Sequence, residues 1–236
     1  MKSLLLVGVT GLVGQSVLAQ ALVREFDAEV LTPESEHSVM SACIPASLAG
    51  VRVFTATASQ GLLLMHELLH YASGARAPIV MANINRTVAS PWAFWPDQTD
   101  SLAQRDTGWI QYYVESAQEA LDTVLHAYRV AEQVLLPAMI NLDAFYVSHA
   151  LEPVSIPAQA SVDAYLPPFN PPHRLDPAQP ESWGNVVSQD MYFRHRQAAE
   201  EAMANKTSSE EIATAEAELA VAMAQIEAIR KLRNRA

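Results

Sequence analysis

His66-Glu67-Leu68-Leu69-His70 is a literal His-Glu-x-x-His segment. On a helix, histidines four apart share a face and can bind zinc, with the glutamate as general base. Such a site needs a third protein ligand. No glutamate lies between Glu67 and Glu115, the next histidine is His126, and the next acids are Asp97 and Asp100. The expectation is therefore no zinc. Gly8-Val9-Thr10-Gly11-Leu12-Val13-Gly14 carries a second chemistry. Glycines spaced this way between a strand and a helix let a dinucleotide's pyrophosphate approach the helix start. Glu34 then stands where an acid could take the ribose, roughly 20 residues on. No Tyr-x-x-x-Lys follows, so short-chain reductase chemistry is not supported. An NAD(P)-binding oxidoreductase using the Gly8-Gly11-Gly14 turn stays open as one reading. Cys43 is the only cysteine. One thiol makes no internal disulfide and holds no iron–sulfur cluster alone. Any cluster must sit on another chain.

These residues need elements to position them. Leu4 to Val9 reads as a buried strand, the glycines as the turn after it, and Ser16 to Glu25 as a helix. Glu29 to Leu31 is a short strand and His37 to Ala49 a helix. Val51 to Thr57 is a β-branched strand, and Gly61 to Ser73 a helix closed by Gly74. Pro78 to Ala82 is a further strand, and Asn85 to Thr107 a long polar and aromatic loop of the kind usually kept for function. Ala117 to Gln133 reads as a helix and Leu135 to Leu142 as a strand. Alternating strands and helices predict an α/β fold: a mainly parallel sheet with helices on both faces. From Glu152 to Pro180 prolines crowd, predicting an extended connector. Met191 to Met203 and Glu210 to Arg233 form a C-terminal helical tail. Ile212, Leu219 and Ile226 at heptad spacing suit either a covering helix or a docking helix of a non-catalytic interaction subunit. The expected divisions are residues 1–150, 151–190 and 191–236.

The 236 residues are 50% hydrophobic and 17% charged, enough for one full domain and an appendage. A net charge of -11 excludes a broadly basic nucleic-acid or anionic-membrane surface. The apolar run near the start is too short to span a bilayer. The expected location is cytoplasmic.

One further set of segments runs in order along the chain. Glu34-Ser35-Glu36-His37-Ser38 comes first, then Phe54 through Met65 with Ser59-Gln60-Gly61 at its centre. Gln104-Arg105-Asp106-Thr107-Gly108-Trp109-Ile110-Gln111, Leu135-Leu136-Pro137, Ser148 through Val154 and Leu166-Pro167-Pro168 follow. Together they resemble the pyrimidine-binding domain of pyruvate:ferredoxin oxidoreductase and related 2-oxoacid:acceptor oxidoreductases. The resemblance implies an α-subunit-like component that oxidatively decarboxylates pyruvate or a similar 2-oxoacid to an acyl-CoA. It implies thiamine diphosphate, shared with a partner chain. In the family a glutamate hydrogen-bonded to the cofactor's pyrimidine supports deprotonation of its thiazolium. Glu36 matches that residue, with Glu34 the adjacent alternative. A partly desolvated Glu36 with a raised pKa is expected. Ser59, Gln60 and Gly61 match the turn beside the cofactor, and glycine there lets backbone pass close to a ligand. Arg86 matches an arginine that binds the substrate carboxylate, for which a guanidinium is suited. Thr10 matches a substrate-contacting threonine.

The sequence also departs from that family. Its Tyr-Pro-Ile-Thr-Pro loop is replaced by Gly8-Val9-Thr10-Gly11-Leu12, Pro45 falls inside a helix, and Pro96-Asp97-Gln98-Thr99-Asp100 stands for Asn-Asp-His-Gln-Asp. No Gly-Asp-Gly segment, which normally holds the diphosphate through a divalent metal, occurs among these residues. The implied partners are a β-type subunit carrying the diphosphate-binding domain and magnesium, an iron–sulfur subunit, and ferredoxin.

Overall fold

Six parallel strands in the order β2-β1-β3-β4-β6-β5 form the sheet of a computed structural model. It describes residues 3–7, 27–89, 91–184, 188, 191–194 and 197. The strands are β1 Ser3–Val7, β2 Asp27–Leu31, β3 Arg52–Thr57, β4 Val80–Asn85, β5 Ile110–Val114 and β6 Ala138–Asp143. Between and after them lie α1 Glu36–Leu48, α2 Gln60–Leu64, α3 His66–Gly74, α4 Thr99–Leu102, α5 Ala117–Val134 and α6 Gln159–Tyr165. Met1–Glu181 forms one compact unit and Ser182–Ala236 another. In the second, residues 191–194 are helical, and the Tyr192 N–H donates to the Ser188 carbonyl at 3.0 Å. The Gly8–Gly14 turn, the helix expected from Ser16 and most of the C-terminal helices lie outside the described residues. Among the described residues, no helix is long and apolar enough to cross a membrane.

The α/β expectation holds in kind. Strands β4 and β6 each lie between two neighbours in the sheet and are buried along most of their length. That agrees with apolar runs covered on both faces. On one face Val80, Ala138 and Ile140 pack with Ala127, Tyr128 and Ala131 of α5. Alternation sends Val53, Met81 and Met139 to the other face. There α1 packs over β1 and β3 and against α3. Helix α1 buries Val39, Met40, Cys43, Ser47 and Leu48, a stripe at helical spacing. The Ser35 hydroxyl caps it, accepting the Ser38 N–H at 3.3 Å. Pro45 is carried inside the helix, which runs on to Leu48. Ser116 caps α5 by accepting the Glu119 N–H at 3.2 Å, and Leu135 ends it with φ 53.

Four local expectations need correction. The helix expected from Gly61 to Ser73 is two helices, broken at Met65. Gly74 does not close it by turning left-handed; Arg76 does, with φ 62. Arg76 is secured because its Nη2 donates to the Val134 carbonyl at 2.8 Å. Strand β5 was not expected; Ile110-Gln111-Tyr112-Tyr113-Val114 gains its partner only when β6 lies beside it, Ile110 opposite Ala138. The proline-rich stretch is not wholly extended, since α6 forms between Pro157 and Pro167.

That stretch is also tied to the body. Leu166 packs on the α5 core, and the Leu175 N–H donates to the Leu48 carbonyl at 2.8 Å. Arg52 binds Glu132 through two bonds, Nε to Oε1 at 2.5 Å and Nη2 to Oε2 at 2.9 Å, and also donates to the Pro167 carbonyl. Both side chains are largely covered, 21% and 12% exposed, so this is not a solvent-screened surface pair. Glu132→Ala leaves Arg52 covered and unpaired. It should lower the unfolding free energy by about 2–4 kcal/mol in a urea titration, whereas an exposed pair would cost under about 1 kcal/mol. Cys43 is fully buried, and burial pushes its thiol up to about 12. In the folded protein it should not react with a disulfide reagent at pH 8; one thiol should appear on denaturation.

Candidate functional site

The sheet's order reverses between β1 and β3: the chain steps from β1 outward to β2, then returns across β1 to β3. In open parallel sheets the crevice at the carboxyl ends of strands beside such a reversal is where ligands bind. Glu36 follows β2, Ser59-Gln60-Gly61 follows β3 and Arg86 follows β4. All three segments therefore open at the same edge of the sheet.

Glu36 is the first residue of α1, and its side chain folds over the turn after β3. A Cβ placed on Gly61 would stand 2.9 Å from Glu36 Oε1, 3.0 Å from Glu36 Cγ and 2.6 Å from Thr57 Oγ1. A Cβ there would force the Thr57 and Glu36 side chains to move, so glycine is what allows this close approach. Against expectation, Glu36 is exposed on this chain rather than buried. Glu34 is exposed too, and a bond from the Ser38 hydroxyl at 2.5 Å lowers its pKa. That occupies Glu34 locally and separates its role from that of Glu36. Thr57 Oγ1 is buried and has no hydrogen-bond partner.

Ser59 is fully buried with φ 51 and ψ -120, a conformation that non-glycine residues adopt only when held. It stands at the N-cap position of α2, but its side chain makes no capping bond. Its hydroxyl donates to the Thr87 carbonyl at 2.6 Å and stands 2.6 Å from the side-chain amide of Gln60. Its N–H donates to Asp100 Oδ2 at 3.0 Å. The same oxygen accepts the Arg86 N–H at 3.3 Å, and Asp100 Oδ1 accepts the Ser101 N–H at 2.7 Å. Asp100 is fully buried. Burial pushes its carboxyl above the ordinary value, opposed by the N–H bonds from Ser101, Ser59 and Arg86 and by the Asn83 side chain. Nothing in the local sequence marks Asp100 for this role, since it stands in a polar segment.

The segment read as a long loop is thus firmly pinned. Ser101, Gln104 and Thr107 are buried with Asp100. The Gln104 amide donates to the Asp100 carbonyl at 3.2 Å, and its oxygen lies 2.6 Å from His66 Nδ1. Beneath it, the Asn83 side chain donates to Asn85 Oδ1 at 2.8 Å and to Asn141 Oδ1 at 3.0 Å. These amides were also missed, although polar residues inside an apolar strand are a readable signal. His66 and His70 lie edge to face at 5.1 Å. Burial and the neighbouring His66 lower the pKa of His70, with Asp106 opposing. Among the described residues, no group of three or more His, Cys, Asp or Glu could hold a metal ion.

The Arg86 guanidinium stands 5.6 Å from the Trp92 ring and 5.7 Å from that of Phe94. Its buried Nε has no partner. Phe94 and Trp95 extend the aromatic surface to Phe145, at 6.0 and 6.1 Å, and Phe145 stacks on His149 at 4.5 Å. Trp92, Phe94, Trp95, Phe145 and Tyr146 are all exposed. Thr10 and the Gly8-Gly11-Gly14 turn lie outside the described residues. The structure thus brings Glu36 onto Gly61, and braces the Ser59 turn to Arg86 through Asp100.

A family model described as pyruvate flavodoxin/ferredoxin oxidoreductase, thiamine diphosphate-binding, matches residues 15–215. Pyruvate synthase subunit PorA of Methanothermobacter thermautotrophicus is 56% identical over 181 residues, 76% of this chain and 47% of that protein. Ketoisovalerate oxidoreductase subunit VorA of Pyrococcus horikoshii is 53% identical over 173 residues, 73% of this chain and 44% of that protein. The chain spans about half the length of these relatives. A solved 2-oxoglutarate:ferredoxin oxidoreductase from Magnetococcus marinus shares the fold, with TM-score 0.54 and 17% identity over 80% of this chain and 33% of that one. By the family match over most of its length, the chain belongs to the thiamine diphosphate-binding domain family of pyruvate flavodoxin/ferredoxin oxidoreductases.

Proposed function

We propose that this chain supplies the pyrimidine-binding half of a thiamine diphosphate site in a 2-oxoacid:ferredoxin oxidoreductase of pyruvate type. The observation that carries the reading is the Glu36 carboxylate lying against the Cβ-free face of Gly61 at the carboxyl edge of the sheet. The residues fit the cofactor. Glu36 offers an exposed carboxylate, the Gly61 turn has backbone free of side chain, and the buried Thr57 hydroxyl beside them has no partner. When bound, thiamine diphosphate supplies the electron sink for decarboxylation of a 2-oxoacid. Glu36 would hold a proton at the pyrimidine ring nitrogen and fix the ring's tautomer. The Ser59-Gln60-Gly61 backbone would lie against the ring and exclude water from one side. Arg86, beside the Trp92 and Phe94 rings, would pair with the substrate carboxylate. Thr10 is the second substrate contact in this reading.

The remaining parts belong to other chains in this proposal. The relatives are named as subunits, which supports an assembly. A β-type subunit would bring the diphosphate-binding domain and its magnesium. An iron–sulfur subunit would pass electrons to ferredoxin. Exposed aromatic patches mark association surfaces, and the Trp92–Tyr146 rim borders the proposed site. The product would be an acyl-CoA, formed with release of carbon dioxide.

The test is Glu36→Gln in the complex with its partner subunits. Turnover of pyruvate should fall on the order of 100-fold. Thiamine diphosphate affinity should change by less than about tenfold, or about 1.4 kcal/mol. Unchanged turnover would remove Glu36 from the role.

A further inference from the structure

We propose that Asp100 is the positioning residue of this site. Its one buried carboxylate locks the turn after β3 and the start of the loop after β4 into a single unit, so that Gly61 and Arg86 are set relative to each other. The Asp100 side chain reaches across 41 residues of sequence to the Ser59 N–H and across 14 to the Arg86 N–H. One oxygen, Oδ2, serves both. Its other oxygen is taken by the Ser101 N–H, which fixes the carboxylate plane. The Ser59 hydroxyl bond to the Thr87 carbonyl repeats the tie between the same two turns from the opposite direction. The two turns are therefore cross-braced rather than merely adjacent.

What the brace holds is strained. Ser59 has φ 51, a conformation costing about 1–3 kcal/mol that persists only when its surroundings over-determine it. Gly61, two residues on, is closely approached, because Thr57 and Glu36 already occupy the space a Cβ would need. A relaxation of Ser59 would move the Gly61 backbone against the Glu36 carboxylate. On the other side, Arg86 is the residue whose N–H Asp100 holds and whose guanidinium faces Trp92 and Phe94. Sequence separation alone would leave the cofactor-side turn and the substrate-side arginine free to shift independently. A buried carboxylate is a costly way to join them, because its charge needs several N–H partners once water is gone. Those partners are gathered from both segments.

The substrate part of this inference rests on the function proposed above; the cross-brace does not. The experiment therefore reads both. Asp100→Asn, Asp100→Glu and the control Asp97→Asn are prepared in the assembled complex. Asp97 bonds only to Thr99 nearby, at 2.7 Å to its N–H and also to its hydroxyl. Amide hydrogen exchange should show Asp100→Asn losing at least tenfold protection together at Ser59–Gly61 and Arg86–Thr87, with α5 and β5 unchanged. The KM for pyruvate should rise about tenfold or more, beyond any change in kcat, since misplaced positioning groups weaken binding and alignment. Asp100→Glu should give a smaller shift of the same kind, and Asp97→Asn none. Loss of protection confined to 97–104, or fewer folded molecules with an unchanged KM, would overturn the proposal. Failure of both Asp100 variants to fold would also overturn it, in favour of a purely structural role. A wild-type complex that oxidises no 2-oxoacid, but shows the paired exchange loss in Asp100→Asn, would sink the function and leave the brace standing.

Discussion

One buried carboxylate, that of Asp100, is the constraint on which the architecture of the site depends. It is taken out of water completely and compensated by N–H groups from three segments. That compensation is local in space and distant in sequence. Remove it, and the Ser59 turn loses the bond that holds its left-handed backbone, while the loop after β4 loses its anchor. One apolar cluster, Val80, Ala138 and Ile140 with the α5 side chains, lies on the face turned away from this network. The site's own face also carries apolar packing, through the fully buried Val53, Met81 and Met139, so it serves both stability and site geometry.

Toward the carboxyl ends of β4 and β6, the face beneath Asp100 turns from apolar to polar. Asn83, Asn85 and Asn141 replace packing atoms with amides that bond to one another. A fully apolar face would have been simpler to pack, but could not have offered a partner to a buried carboxylate. The consequence is that the loop from Arg86 to Trp109 is ordered without a long secondary element. Its buried Ser101, Gln104 and Thr107 replace the apolar side chains that would usually hold it, and the Trp109 indole closes it by donating to the Leu69 carbonyl at 2.9 Å. Meanwhile Trp92, Phe94 and Trp95 are displayed outward with Arg86 against them.

Much of the sheet was legible in the residues themselves. Strands such as Arg52–Thr57 and the capped helix from Ala117 carry their periodicity and their stop signals locally. Strand β5 was not legible, because Ile110–Val114 is a strand only through its pairing with β6. The break at Met65 has no proline or glycine to announce it, and α6 hides between prolines that read as extended. Within the site, Glu36, Gly61 and Arg86 could be singled out by their order along the chain and their likeness to a family. Asp100 could not, since an acid in a polar loop reads as solvated until three segments close over it. The Asn83 and Asn85 pair was a signal available and unused, as two amides in an apolar strand require partners.

The central claim is that the Glu36 carboxylate, seated on Gly61, meets the pyrimidine of thiamine diphosphate. The direct measurement is a structure of the assembled complex with the cofactor bound. The account predicts a Glu36 oxygen about 2.6–3.0 Å from the pyrimidine ring nitrogen, the range of a charge-assisted hydrogen bond. A cofactor bound elsewhere on the complex, with Glu36 facing only solvent, would contradict it.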